Sequence, residues 1–496
     1  MPTDAKTLRL GDMILRRKGT LSQRLTHAVI SVALRLFFRR IETSGAALVP
    51  PAGAVVFVLN HPNGLIDPGL VFAAMPRRIS FLAKSTLFKL PVIGWLLRTV
   101  EALPVFRRVD EGADVSQNTR TFEACGRLLR RGRCIALFPE GVSHNAPKLL
   151  PIKTGAARIA LGAISLKEKE DGETERQGVG ETFNDAASFS PSPRPPVSQS
   201  SLKIVPVGLY YTSKTSFRSE ALLRFGTPLE VGAVALDERS EPPREAVREL
   251  SARIEKALRE VTLNVETEEQ LDVARKAERL FSSVYEGMNV RLPLAERFDF
   301  LRRLSAQMFA RLSASEGAEK LRARIISHEE ELRRIGLAPE NLQLSRLSVG
   351  FVFRHFLLRT GVLLFLLPLT IVGAVIHLPA YLVCTLLARL YPKHGVDEIA
   401  PTVKILAAIL LMPLTWLVVS ALAFLWIDWR ASLVALPLTI LCGYTAMRVL
   451  EEFYDMRGWF KAVVLVVRRR KLFLRLLIER RALQDELERI ETHAGG

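Results

Sequence analysis

A chain of 496 residues with 24% charged and 49% apolar side chains is too long for one ordinary core and too apolar for a disordered or fibrous protein. Its formal charge of +18 and a pI near 10.1 call for an anionic neighbour, either nucleic acid or a phospholipid surface. The four cysteines (Cys125, Cys134, Cys384, Cys442) lie far apart or in apolar runs, without CxxC or Cys/His ligand spacing. That argues against a disulfide scaffold or structural zinc and for a reducing compartment.

In chain order, the opening MPTDAKTLRL lacks the apolar stretch of a cleavable secretory signal. Leu21, Leu25, Ala28, Val29, Val32 and Leu36 then recur at helical spacing, with Arg24, His27, Ser31, Arg35 and Arg39 largely on the other side. This predicts a basic amphipathic helix over 21–38, within an amino-terminal region of residues 1–44. Such a helix can lie in the headgroup layer of a membrane or pack as an ordinary domain helix on a core.

Residues 45–240 have an alternating α/β texture. The runs Ala54–Leu59, Cys134–Phe138 and Lys203–Leu209 predict buried strands separated by helices. One insertion, 167–200, is rich in Glu, Gly, Ser and Pro and nearly free of large apolar side chains. It cannot offset its chain entropy by burial, and a disordered loop is expected.

Residues 241–345 read as charged helices with solvated faces. Residues 346–450 are a membrane region: Gly361–Ala388 carries no Asp, Glu, Lys or Arg across 28 positions, and Ile405–Ile427 none across 23. Each is long enough to span a bilayer. A third uncharged stretch, Ala431–Met447, is shorter and interrupted by Pro437. Residues 451–496 form a basic helical tail, with Leu476, Leu483, Leu487 and Ile490 at helical spacing. Its Arg468, Arg469, Arg470 and Lys471 favour a cytoplasmic carboxyl end, and the Arg-rich amino-terminal domain favours the same side. An even number of crossings follows. Either the first segment, with Pro368 and Pro379, is a re-entrant hairpin before two spans, or two spans precede an interfacial third.

The densest chemistry begins where the first strand ends, at Asn60-His61-Pro62-Asn63-Gly64-Leu65-Ile66-Asp67-Pro68. Asp67-Pro68 has the form of a helix start, with Asp as N-cap and Pro first in the helix. A carboxylate across the turn can hold the imidazole of His61 in one tautomer and make it a general base. Taken alone, Asp67 could equally be a plain helix cap. Further along, Arg107 and Arg108 follow a short apolar segment, and guanidinium groups suit phosphate or carboxylate. Glu140, in Phe138-Pro139-Glu140-Gly141-Val142-Ser143, stands at a predicted strand's carboxyl end, the ligand-binding edge of open α/β sheets. Lys153 adds a cation, and Val205-Pro206-Val207-Gly208 is another strand–turn junction.

The order His…Asp, Arg, FPEG and VPVG resembles the four blocks of the PlsC-like glycerolipid acyltransferases over about residues 45–230. The Pro-Val-x-Arg-x-x-Asp form of the second block is similar to the branch that acylates glycerol 3-phosphate or glycerone phosphate. So are Val261–Val265 leading to Ala274–Leu280, and the carboxyl-terminal membrane region. One departure is visible: the common pattern has four residues between His and Asp, whereas five separate His61 from Asp67.

The resemblance implies an α/β acyltransferase domain with a helical appendage and carboxyl-terminal transmembrane helices. It implies direct acyl transfer, with His61 as base and Asp67 orienting it. Asn63, Arg107, Arg108, Glu140, Gly141, Ser143 and Lys153 match positions that hold the polar acceptor and its phosphate. The expected partners are a phospholipid membrane, a glycerol-phosphate acceptor and an acyl-CoA donor, with the catalytic domain on the cytoplasmic face. No cofactor beyond the acyl-CoA co-substrate and no metal is expected, since no P-loop or metal-ligand cluster is visible. The membrane segments account for the basicity better than nucleic acid does, and no stacking-aromatic motif is seen. Gly141-Val142-Ser143 lacks the second glycine of G-x-S-x-G, against a serine hydrolase. Two alternatives stand beside this expectation: a lysophosphatidate acyltransferase, and a catalytically silent lipid-binding membrane scaffold.

Overall fold

The structure is a computed structural model. It describes residues 20–492 apart from 65, 76, 108–113, 166–201, 215, 239, 287–291, 313–315, 338, 340–348 and 391–395. The expected loop at 167–200 lies outside the described residues. The chain divides into two compact units, Met1–Leu263 and Asn264–Gly496.

The first unit is built on a mixed eight-stranded sheet of order β1-β7-β6-β2-β5-β3-β4, with β8 also against β6. The strands are β1 Arg40–Ser44, β2 Val55–Leu59, β3 Ile79–Lys84, β4 Leu103–Val105, β5 Cys134–Leu137, β6 Lys203–Tyr211, β7 Glu220–Phe225 and β8 Leu229–Glu230. Strand β2 (VVFVL) is buried at all five positions, as a strand covered by helices on both faces must be. It runs parallel to β5 on one side, Val55 opposite Cys134, and to β6 on the other, Val55 opposite Lys203. Strand β6 turns the sheet mixed by pairing antiparallel with β7, Val207 opposite Phe225.

Helices α4 (Asn118–Arg130), α5 (Gly155–Ser165) and α6 (Arg244–Val261) cover one face. There Val56, Val58, Ile135 and Ile204 of the sheet meet Cys125, Leu129, Ala157, Ile254 and Leu258. Helix α6 falls within the stretch assigned by sequence to the charged appendage. Its stripe Val247, Leu250, Ile254, Leu258 and Val261 is buried, so it is part of the sheet domain instead.

The other face carries α2 (Ile66–Ala74) through the Phe72–Phe81 ring contact. Helix α1 (Leu21–Phe37) packs on α2: Ile30 and Leu34 lie over Gly69, and His27 meets Phe72. Helix α3 (Pro91–Thr99) touches α1 as well. The predicted amphipathic helix is thus present, with its more polar side inward. Thr26, His27, Ser31, Leu34 and Phe37 are buried, whereas Leu21 and Leu25 are 82% and 63% exposed.

In the second unit, α7 (Glu268–Glu286), α8 (Leu294–Leu312), α9 (Glu316–Ile335) and α13 (Arg470–Thr492) share a core that includes Leu280, Phe300, Ile325, Leu483 and Leu487. Arg324 of α9 bridges to Glu479 and Glu486 of α13 at 2.9 and 2.7 Å. The remaining helices are α10 (Val349–Leu390), α11 (Val396–Trp426) and α12 (Trp429–Arg468). Segments Leu357–Leu390, Val403–Trp426 and Trp429–Arg468 are long and apolar enough to cross a membrane.

The re-entrant hairpin is not found: α10 continues through Pro368 and Pro379 for 42 residues, about 63 Å at 1.5 Å per residue. Helices in bilayers tolerate proline where neighbouring groups satisfy the freed carbonyls. Within this bundle His377 is fully engaged. Its Nδ1–H donates to the Gly373 carbonyl at 2.8 Å, and its Nε2 accepts from Trp416 Nε1–H at 3.0 Å.

Candidate active site

Parallel pairing brings the carboxyl ends of β2, β5 and β6 to one edge of the sheet. Where β2 ends, Asn60 replaces the lost ladder with its side chain. Its Oδ1 accepts from Leu209 N–H at 2.7 Å, and its Nδ2 donates to Leu209 O at 3.1 Å. His61, the next residue, is therefore held where the chain leaves the sheet. Its ring stacks on Phe138 at 4.0 Å between centroids, the planes 16° apart.

Asp67 is not the N-cap predicted from the sequence. Helix α2 starts at Ile66 with Asp67 in its first turn. The Asn63 carbonyl accepts from Ile66 and Asp67 N–H at 3.0 and 3.2 Å. That geometry turns the carboxylate back over the loop. Asp67 Oδ2 lies 2.8 Å from His61 Nδ1 and accepts Asn63 N–H at 2.7 Å. Its Oδ1 accepts the Tyr211 hydroxyl at 2.6 Å. The five-residue separation is thus no obstacle to contact; the loop absorbs it with Gly64 at φ 34, a backbone region open to glycine. Asp67 is fully buried, yet every close partner is a donor, and the amino terminus of α2 adds a favourable dipole. Desolvation and the neighbouring Asp67 charge hold the Tyr211 hydroxyl well above its ordinary 10.0, so it stays a donor. His61 Nε2 has no hydrogen-bond partner among the described residues, and 17% of the side chain is open.

A second histidine–carboxylate pair stands beside the first. Glu140, just past β5, is buried. Its Oε1 accepts the His61 backbone N–H at 2.9 Å, and its Oε2 accepts Leu150 N–H at 2.8 Å and meets His144 Nε2. The His144 N–H in turn donates to His61 O at 3.1 Å. Gly141 has φ +76, and Lys153 lies so close that a Cβ there would come within 2.5 Å of its ammonium. Arg107 donates to the Gly141 carbonyl at 2.8 Å.

Asn63 is fully buried; its Nδ2 donates to Lys214 O at 3.4 Å, and its Oδ1 has no partner among the described residues. Ser143 lies half-buried in the loop between Gly141 and His144, and Arg108 lies outside the described residues. The structure therefore gathers His61, Asn63, Asp67, Glu140, Gly141, Arg107 and Lys153 at one sheet edge. Sequence reasoning missed Asn60, His144, Tyr211 and Lys214, whose ammonium holds Asn145 Oδ1 at 3.0 Å. Only His144, four residues after Glu140, gave a readable signal.

An imidazole braced by a buried carboxylate, with its far nitrogen open, can take a proton from a hydroxyl. Residues 40–178 match the family model described as Acyltransferase. Residues 276–495 match that of the Glycerol-3-phosphate acyltransferase 2 C-terminal domain. The two matches, with the relatives below, make the chain similar to PlsC-like glycerolipid acyltransferases and support their glycerol-3-phosphate acyltransferase branch.

Glycerol-3-phosphate O-acyltransferase 2 of Saccharomyces cerevisiae is 26% identical over 322 residues, covering 62% of this chain and 39% of that protein. Glycerol-3-phosphate O-acyltransferase 1 of the same organism is 24% identical over 485 residues, covering 78% of this chain and 59% of that protein. This chain thus spans less than two thirds of either relative. The crystal structure of the 1-acyl-sn-glycerophosphate (LPA) acyltransferase PlsC from Thermotoga maritima matches with a TM-score of 0.32 at 16% identity, covering 51% of this chain and 84% of that one.

Proposed function

We propose that this protein is a membrane-bound O-acyltransferase that moves an acyl group from acyl-CoA to a hydroxyl of glycerol 3-phosphate or glycerone phosphate. The observation that carries the reading is the 2.8 Å contact between His61 Nδ1 and an Asp67 carboxylate saturated with donors. Nδ1 faces a carboxylate oxygen, so the neutral ring carries its proton there and leaves the Nε2 lone pair for substrate. Nε2 accepts the proton of the acceptor hydroxyl as its oxygen attacks the thioester carbonyl. The carbon–sulfur bond of the tetrahedral intermediate breaks, coenzyme A leaves as thiolate, and the imidazolium returns the proton to it. Asp67 stabilises the imidazolium between these steps. Atoms and charge balance without a further reactant, and no cofactor or metal enters.

Arg107 and Lys153, both beside Gly141, supply the positive charge for the acceptor phosphate, with Arg108 beside Arg107 in sequence. Asn63, Glu140, Gly141 and Ser143 shape the loops around it. We assign the catalytic unit and the basic run Arg468–Lys471 to the cytoplasmic face; cysteine-accessibility mapping of both ends in sealed vesicles tests that assignment.

The decisive experiment is an acceptor panel on purified membranes with labelled acyl-CoA: glycerol 3-phosphate, glycerone phosphate and lysophosphatidate, for wild type and His61→Ala. Transfer to either of the first two that is lost in the variant supports the reading. Preference for lysophosphatidate moves the protein one step later in glycerolipid synthesis. No transfer to any acceptor favours a silent scaffold.

A further inference from the structure

The buried stripe of α9 is apolar except at one position. Leu321, Ile325, His328 and Leu332 recur at helical spacing and are 2%, 0%, 3% and 1% exposed, so the histidine stands where periodicity asks for a leucine. The stripe of α13 that meets it contains Leu476, Arg480, Leu483, Gln484 and Leu487, all buried. Its two polar members are engaged: Arg480 Nη1 donates to the Pro339 carbonyl at 3.3 Å, and Gln484 Nε2 to that of Leu280 at 2.6 Å. His328 differs. Neither ring nitrogen has a hydrogen-bond partner among the described residues, and burying polar atoms in that state is costly.

Ion pairs bracket the ring. Arg324, one turn before His328, bridges Glu479 and Glu486 of α13, and Glu331, just after it, pairs with Arg475. The two helices therefore run antiparallel. Glu329 is taken by Lys276 and Arg279 of α7, while Arg297 of α8 is held by Glu278 of α7 at 2.6 Å. The charges acting directly on the ring are Glu479 and Arg480 of α13 and Glu331 and Glu329 of α9 itself. Burial is the largest influence and holds the imidazole below its ordinary 6.5; Arg480 acts in the same direction, and the three carboxylates oppose it. Each of those carboxylates already has a cation: Arg324 on Glu479, Arg475 on Glu331, Lys276 and Arg279 on Glu329. An imidazolium would thus enter a buried seam whose acids are matched, and charge buried without its own partner disfavours the closed form.

We propose that the α9–α13 seam is a proton-released latch, closed while His328 is neutral and opened when the ring takes a proton. Opening lifts α13, which follows the three helices able to cross a bilayer, away from α9, which precedes them. It bares Leu321, Ile325, Leu483 and Leu487 of their shared core. The open seam binds the proton at the ordinary value, and the closed seam only below it. The latch is therefore at full strength above pH 6.5 and weakens as pH falls. Neither the latch nor its test involves acyl transfer.

The test uses the full-length protein in lipid nanodiscs, with spin labels on Arg334→Cys of α9 and Arg481→Cys of α13, both exposed positions. The four native cysteines are buried. Pulsed dipolar spectroscopy then reads the distance across the seam from neutrality to about pH 5. In wild type a longer-distance population should grow below pH 6.5, its ratio to the short one rising by up to about tenfold per unit, the limit for one proton. His328→Phe fills the site without a titratable group, and His328→Gln keeps a neutral polar one; neither should gain that population in acid. A single short distance in wild type over the whole range overturns the latch. Acid opening that persists in either variant overturns it too, and assigns the transition to the carboxylates. A rise steeper than one proton allows excludes a single-histidine origin. If both replacements stand open at neutrality, the wild-type titration decides: one-proton growth beginning at 6.5 supports the latch, and its absence overturns it.

Discussion

Two histidine–carboxylate pairs share one edge of the sheet, and their differences separate chemistry from scaffolding. Asp67 takes His61 Nδ1, Asn63 N–H and the Tyr211 hydroxyl, and leaves His61 Nε2 without a partner among the described residues. Glu140 takes His144 Nε2 and two backbone N–H groups, those of His61 and Leu150. The other nitrogen of His144, Nδ1, is buried and has no partner among the described residues. An imidazole whose remaining nitrogen is walled off cannot reach a substrate hydroxyl. The first pair thus has the form of a base, and the second ties the backbone of that base to the loop following β5. Proximity of His to a carboxylate is not enough to assign a role; the fate of the second nitrogen decides it.

The sharpest way to break this distinction is to remove each imidazole. His61→Ala is expected to lower kcat by about 10²–10⁴-fold, the usual contribution of a positioned base, with little change in thermal midpoint. His144→Ala should retain most of the rate. Equal losses in the two variants, measured with the best acceptor, would show that the pairs are not distinct. Next in size is Asp67→Asn. An amide can present its NH₂ to Nδ1 and favour the wrong tautomer, so a loss of about 10²–10⁴-fold in kcat is expected. Activity close to wild type would mean that Asp67 serves only the loop.

Glu140→Gln should show itself differently. The amide keeps one acceptor oxygen but cannot serve three donors with a full charge, and hydrogen bonds to charged groups contribute about 1.5–3 kcal/mol. Urea denaturation should therefore reveal a loss of that order, alongside a smaller fall in kcat than at Asp67. If instead KM for the acceptor rises steeply while stability is unchanged, Glu140 contacts substrate and the contrast between the two pairs is redrawn.

How much of this was legible in the residues follows from what each signal encodes. The strand at Val55–Leu59 and the motifs at its end are local patterns, and parallel pairing turns their order along the chain into proximity. The reach of Asp67 to His61 across five residues was open, because it depends on where helix α2 starts, and helix ends are weakly specified by composition. Tyr211 was missed because the predicted strand stopped at Leu209, whereas β6 continues two residues further, far enough to reach Asp67. Periodicity found the stripe of α1 but not which way it faces: a stripe marks the apolar side, and only the partner's identity says whether that side is inward. The same pattern in α6 is inward. Prolines 368 and 379 looked like breaks because their cost in water is high, and the long helix α10 runs through both.

Tyr211 offers the finest discrimination, since it belongs to the catalytic pair without being able to touch substrate. It is 3% exposed and donates to the Asp67 oxygen that His61 does not use. Tyr211→Phe removes one donor from a carboxylate that keeps two others, and a phenyl ring fills the same space. About 1 kcal/mol is at stake, as for an ordinary buried hydrogen bond, or roughly a fivefold fall in kcat with KM unchanged. A purely packing role would leave kcat alone. Burial and the Asp67 charge raise the phenol above 10.0, so the proton is held as pH approaches that value. Loss of the Tyr211 bond therefore contributes nothing to any decline in rate between neutrality and pH 10.0. Ultraviolet difference titration of wild type against Tyr211→Phe should find no phenolate from this residue over that range. Phenolate appearing there, together with a parallel fall in wild-type rate, would mean that the carboxylate is less enclosed than its contacts indicate.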